Sequence, residues 1–137
     1  KGLAGALAGK IMVDTTAPLI PPKLGKVQLP EGGSAALIAQ EILGPDVTVV
    51  SAFQNVSAAH LISGEELTHH VLVCGNKRAA RDKVTELAAA AGLTAWHGGP
   101  LANSAAAEAL TSVLISINRH HGIDGAGIMI TGEPKAD

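Results

Sequence analysis

The run His97-Gly98-Gly99-Pro100-Leu101-Ala102-Asn103-Ser104 gathers several residues from which this chain can build a binding surface. Two glycines and a proline force a sharp turn after an apolar segment, and Asn103 and Ser104 then offer adjacent caps for a helix. One of them is needed as the cap, worth roughly 1 kcal/mol. The other is free to meet a ligand, because a tight turn entering a helix is where α/β proteins hold planar or anionic groups. Two further loops have similar potential: Asp14-Thr15-Thr16-Ala17-Pro18-Leu19 and Ser51-Ala52-Phe53-Gln54-Asn55-Val56. Each follows an apolar run that reads as a strand, and parallel sheets bind ligands beyond the carboxyl ends of their strands.

Other chemistries are disfavoured. His69-His70 and His120-His121 are adjacent pairs whose side chains point apart, and the chain lacks an i, i+4 histidine pair, Cys-x-x-Cys and His-Glu-x-x-His, so no metal site is expected. Arg119, His120 and His121 fall at a helix C-terminus, where cationic side chains suit the dipole. Cys74 sits in an apolar strand before Gly75 and reads as a small buried hydrophobe. No Gly-x-Ser-x-Gly elbow is present. Gly127 and Gly132 have phosphate-loop spacing, but Glu133-Pro134 follow where Lys and Ser or Thr are required. Gly-x-Gly-x-x-Gly is also missing, so the pyrophosphate site of a dinucleotide is not expected within these residues.

The elements that carry these loops follow from hydrophobic period and punctuation. Lys10–Asp14, Val47–Ser51, Val71–Cys74, Leu93–His97 and Gly127–Thr131 read as strands. Ser34 caps a helix over Ala35–Leu43 that Gly44-Pro45 ends, Val56–Leu61 forms a short helix, and Asn76 caps one running to Ala91. A long helix from the Asn103-Ser104 caps reaches His121 and stops at Gly122. It carries Ala106, Leu110, Val113, Leu114 and Ile117 on one stripe while Ala109 and Ile115 point elsewhere, as in a helix buried between layers or in a dimer contact. Alternating strands and helices predict an α/β layered architecture with mainly parallel pairing at the start. Ser63-Gly64-Glu65-Glu66 marks a boundary between residues 57 and 70.

With 137 residues and 47% hydrophobic content, the chain has enough material for one core. One tryptophan and one phenylalanine leave that core to aliphatic side chains. A net charge of −2 gives no electrostatic reason to expect nucleic acid or an anionic membrane. One cysteine excludes an internal disulfide, and no apolar run reaches the roughly 20 residues of a bilayer span. A cytoplasmic, soluble protein is the expectation. The first residue is Lys rather than Met, which suggests a processed start or a beginning inside a longer protein.

Ile11–Leu19, Val49–Val56, Val71–Gly75, Gly99–Ser104, Glu108–Thr111 and Gly125–Ile128, taken in that order, resemble the NADPH-dependent reductases of coenzyme F-420 (F420), the F420:NADP oxidoreductases. The resemblance implies the last strands of a Rossmann-type parallel sheet plus a smaller C-terminal α/β domain with one long buried helix. It implies residues 1–57 as the remainder of a Rossmann NADP-binding domain and 58–137 as a deazaflavin-binding domain, without the earlier strands and the NADP phosphate site. Carried onto this sequence, Ala17, Pro18 and Leu19 face the nicotinamide. Ala52, Phe53, Gln54, Asn55 and Val56 face the deazaflavin, with Leu101, Ala102, Asn103, Ser104, Ala126 and Gly127 completing the cofactor-binding set. Gln54 stands where an archaeal member has histidine; it can bond a ring carbonyl but does not change charge near neutral pH.

The implied mechanism is direct hydride transfer between stacked nicotinamide and deazaflavin rings, with NADP and F420 as cofactors and no catalytic acid or base. Small-molecule cofactors and a second copy of the chain, docked through the long helix, are the expected partners. Two rival readings are a related NADP-dependent reductase with a flavin or ferric acceptor, and a non-catalytic dimerising fragment.

Overall fold

The computed structural model describes residues 2–135. Four of the apolar runs form strands: β1 (Ile11–Asp14), β2 (Thr48–Ser51), β3 (His70–Cys74) and β4 (Thr94–Gly99). They make one sheet in the order β1-β2-β3-β4. β1 pairs parallel with β2, placing Asp14 opposite Ser51, and β3 pairs parallel with β4. An antiparallel junction, Ser51 opposite Cys74, joins the two pairs. The helices are α1 (Ala4–Leu7), α2 (Ala35–Leu43), α3 (Ala58–Ser63), α4 (Arg78–Ala90) and α5 (Ser104–His121). The architecture is therefore α/β with a mostly parallel sheet and a long C-terminal helix.

Local chemistry explains the boundaries that match expectation. Ser34 Oγ accepts the Leu37 N–H at 3.1 Å, capping α2, and Gly44 ends it at φ 81°. Gly122, left-handed at φ 63°, closes α5. The main core packs Ala80, Val84 and Ala88 of α4 against Val50, Val71 and Val73 of the sheet. A smaller cluster joins Ala36, Val49 and Leu101. Alanine at the helix contacts lets α4 approach the strands closely, which compensates for the scarcity of aromatic side chains.

Three local expectations fail for identifiable reasons. α4 begins at Arg78 without a side-chain cap; Asn76 Oδ1 instead accepts the Leu101 N–H at 3.0 Å and holds the turn after β4. Residues 127–131 form no strand. Their ladder is interrupted because the Ile130 N–H goes to His70 Nδ1 at 2.8 Å rather than to a backbone carbonyl. Neither Asn103 nor Ser104 caps α5, since a 3-10 turn, Leu101–Asn103, runs into the helix with Asn103 already at helical angles.

The largest difference concerns which face of α5 is inside. Ser104, Ala107, Glu108, Ser112 and Leu114 are buried, whereas Val113 and Ile117 are exposed. Glu108 and Ser104 go inward because they have partners. Glu108, 1% exposed, accepts the N–H groups of Ala35 (2.7 Å) and Ala36 (3.1 Å). Ser104 Oγ lies 2.7 Å from Ser34 Oγ. Between them, Glu108 and Ser34 satisfy three of the free donors at the start of α2.

Burial pushes the Glu108 carboxyl above its ordinary value, against the pull of the two N–H groups and with the Asp14 charge adding to the rise. The native state thus retains this proton to higher pH than the unfolded chain, so the Glu108 contribution to stability declines as pH climbs above the ordinary carboxylate value of 4.5. Glu108→Gln loses one of two acceptors, about 1 kcal/mol, but also loses that decline. Urea unfolding at pH 4.5 and at pH 7 should show the variant gaining on the wild type as pH rises; the opposite trend would contradict the assignment.

Candidate functional site

The turn that dominates the sequence proves to be structural for most of its length. A Cβ added to Gly98 would lie 2.6 Å from Cys74 Sγ, and Gly99 adopts φ 89°, so both glycines are required for β4 to pass the thiol and turn. Asn103 Nδ2 donates to the Gly98 carbonyl at 2.7 Å and fastens the turn from outside. Leu101 and Ser104 are buried; Ala102 and Asn103 are exposed. His97 is held by α4, with its Nδ1 accepting from Arg81 Nε at 3.4 Å and its Nε2 3.3 Å from Asp82. Burial raises the Cys74 thiol above its ordinary value despite the opposing charge of Arg81, so it is not poised as a nucleophile.

The loop after β2 is built differently. Phe53 takes a left-handed φ of 69°, costly for a residue with a Cβ and commonest at functional turns. This bend places Gln54 beneath the carboxyl ends of β1 and β2, where its Nε2 donates to the Asp14 carbonyl (3.1 Å) and to Ser51 Oγ (2.7 Å). Asn55 Nδ2 donates to the His70 carbonyl at 2.8 Å, tying the loop to β3. Thr111 Oγ1, from α5, donates to the Gln54 carbonyl at 2.9 Å. Among the described residues Gln54 Oε1 is a buried side-chain acceptor of this framework without a partner. A buried acceptor without a donor is costly.

Gln54, Asn55 and Val56 line a cavity of about 230 Å³ closed by Thr111, Ile115 and Asn118 of α5 and by Asp124, Gly125 and Ala126. Its polar lining is chiefly amide and hydroxyl, with Asp124 as the acidic group and no lysine or arginine. Such a lining suits the neutral edge of a heterocycle and does not suit a phosphate. A larger hollow of about 420 Å³ lies at the amino end of β2. There the Gln40 amide is already bonded to Gly44, Val47 and Val49, and Lys77 to Thr48. Among the described residues no cluster of three or more potential metal ligands occurs.

The structure thus brings Gln54, Asn55, Val56 and Ala126 around one cavity, with Gly127 beside Ala126 but outside the lining. Ala52 is buried in the core under the loop, and Phe53 packs against the same core. Ala17, Pro18 and Leu19 are half-buried in the loop after β1, outside the cavity. That loop neighbours the Gln54 loop, since the Asp14 carbonyl receives both the Ala52 N–H (3.0 Å) and the Gln54 amide. Leu101, Ala102, Asn103 and Ser104 do not line the cavity. Sequence reasoning missed Thr111 and Asn118, which recur at helical spacing with Ser104 and Glu108 on one polar face of α5.

Comparison with known proteins gives a consistent pattern. No family model matches the chain. It is 40% identical over 139 aligned residues to the F420-dependent NADP reductase of Methanocaldococcus jannaschii, covering 96% of this chain and 60% of that protein. It is 38% identical over 109 residues to the rat metalloreductase STEAP3, covering 79% of this chain and 21% of that protein. A crystal structure from Arthrobacter sp. FB24, provisionally described as an F420-dependent NADP reductase, superposes with a TM-score of 0.79 at 28% identity, covering 94% of this chain and 60% of that one. The chain therefore spans about three fifths of the length of the reductases it matches.

Thr111→Val removes the bond that seats the Gln54 loop on α5 while keeping the side-chain volume. A loss of about 1 kcal/mol in urea unfolding is expected, and no loss would show that the loop is held without α5.

Proposed function

We propose that this chain, homologous over nearly its whole length to part of the F420-dependent NADP reductases, is the F420-side portion of an oxidoreductase that moves a hydride between NADP(H) and coenzyme F420. The observation that carries the proposal is a cavity lined by Gln54, Asn55 and Asn118, with amide and hydroxyl groups and Asp124 as its polar lining, together with the Gln54 Oε1, which is buried and has no hydrogen-bond partner. The uracil-like edge of a deazaflavin offers an N–H donor between two carbonyl acceptors, which suits Gln54 Oε1 together with the amides of Asn55 and Asn118. When bound, the two cofactors supply the hydride chemistry themselves.

The remaining work falls to the protein as alignment and exclusion of water. Ala17, Pro18 and Leu19 would face the nicotinamide, and Ala52 to Val56 with Ala126 and Gly127 the deazaflavin. These loops meet at the Asp14 carbonyl, which supports a reading in which the two rings stack between them. In this reading Leu101 to Ser104 buttress the site, with Asn103 fastening the β4 turn. No side chain acts as acid or base. Residues 1–57 would complete the NADP-binding unit and 58–137 form the F420 unit. The exposed stripe Ala106, Val113 and Ile117 of α5 would join two copies of the protein.

A second reading keeps NADPH and changes the acceptor. The metalloreductase relative favours it, as does Gln54 in place of histidine. The intact protein supplied with NADPH and F420 should bleach the deazaflavin absorbance, and Gln54→Leu should lower kcat/KM for F420 roughly 10- to 100-fold, the equivalent of one buried hydrogen bond left unmade. Inert F420 together with reduction of a flavin or ferric acceptor would overturn the first reading in favour of the second.

A further inference from the structure

The segment Asp124–Ile130 has no helix or strand of its own, yet Asp124, Gly125 and Ala126 supply one wall of the cavity. Side chains from two other elements fix its course. Asn118 Oδ1 on α5 accepts the Ala126 N–H at 2.9 Å. On β3, the His70 N–H donates to the Ile128 carbonyl at 2.9 Å, and His70 Nδ1 accepts the Ile130 N–H at 2.8 Å. The same Nδ1 also receives the Trp96 indole Nε1–H of β4 at 3.0 Å. Beneath the segment, Gly125 and Gly127 press on the His60 and His69 rings so closely that a Cβ on either glycine would overlap an imidazole.

An Nδ1 that accepts two N–H groups carries its lone pair, so the His70 ring is neutral with its proton on Nε2. We infer that His70 is a positioning residue: its Nδ1 ties down the Ile130 end of the segment, so that protonation at Nδ1 frees that end and loosens the wall that Asn118 still anchors at Ala126 and the His70 N–H at Ile128. A proton there turns the acceptor into a donor facing two donors, and both bonds are lost. The groups around His70 are Trp96 from β4, Asn55 from the loop after β2, and the Ile128 and Ile130 backbone of the segment. Nearby, His60 and His69 stand 6.5 Å apart by ring centroids, with His60 Nε2 3.9 Å from Asp124. Among the described residues no ion pair includes His70. The consequence for ligand affinity rests on the proposed function; the consequence for the segment does not.

Hydrogen–deuterium exchange of the intact, ligand-free protein tests the inference. Exchange is read on peptides spanning residues 124–131 at about pH 8 and about pH 5.5, the interval in which histidines change charge, and corrected for the intrinsic pH dependence of exchange. Wild type should lose protection on the order of tenfold at the lower pH. His70→Gln keeps an acceptor that does not titrate and should show equal protection at both, while His60→Gln and His69→Gln should retain the wild-type loss. Nitrogen-15 NMR of the wild-type histidine rings should find His70 as the Nε2–H tautomer at about pH 8, a readout that does not depend on any variant folding. Protection independent of pH in wild type, an unchanged acid loss in His70→Gln, or an Nδ1–H tautomer would each overturn the inference. F420 affinity should follow the same pH profile. Absence of F420 binding at every pH, with the exchange pattern intact, would count against the proposed function while supporting the role of His70.

Discussion

The buried carboxylate of Glu108, accepting the first two N–H groups of α2, fixes where α5 lies, and the candidate site depends on that placement. Successive residues on the same face of the helix then meet their partners in register. Ser104 reaches Ser34, Thr111 reaches the Gln54 carbonyl, Ile115 lines the cavity, and Asn118 reaches the Ala126 N–H. Steps of three and four residues keep all of them on one side of the helix. α5 is therefore a polar spine: its inner face binds backbone groups of three separate segments, and much of its aliphatic surface is left outside.

That arrangement explains what could and could not be read from the sequence. α2 was legible to the residue because Ser34 and Gly44 act within their own helix. The strands β1 to β4 were legible within a few residues from their apolar runs. The inner face of α5 was not, because hydrophobic period assigns the core by apolar side chains, and here polar side chains with distant partners occupy it. Asn76 and Asn103 misled for a related reason. Each has the residue type of a helix cap, but Asn103 bonds back across its own turn to Gly98 and Asn76 reaches a separate loop at Leu101. The expected last strand failed because a ring nitrogen, His70 Nδ1, takes the place of a backbone acceptor.

The candidate site was legible only in part. The resemblance to the F420 reductases placed Gln54, Asn55, Val56 and Ala126 in one set, and the fold gathers them around one cavity. Thr111 and Asn118 were visible as polar residues at helical spacing, yet nothing local named their partners. Two features were hidden altogether, the left-handed Phe53 and the unsatisfied Gln54 Oε1, because both arise only when the loop is pinned from β1, β3 and α5 at once.

A cavity lined by amides and hydroxyls, with Asp124 and no basic side chain, beside two loops at the carboxyl ends of parallel strands is suited to align planar rings and poorly suited to phosphate binding. In the proposed function Gln54 Oε1 is the acceptor for the ring that occupies this cavity. A crystal structure of the intact protein soaked with F420 measures it most directly. The expected result is a deazaflavin edge between Gln54 and Ala126 with a ring nitrogen within hydrogen-bonding distance of Oε1; a deazaflavin bound elsewhere, with Oε1 still unpartnered, would overturn the assignment.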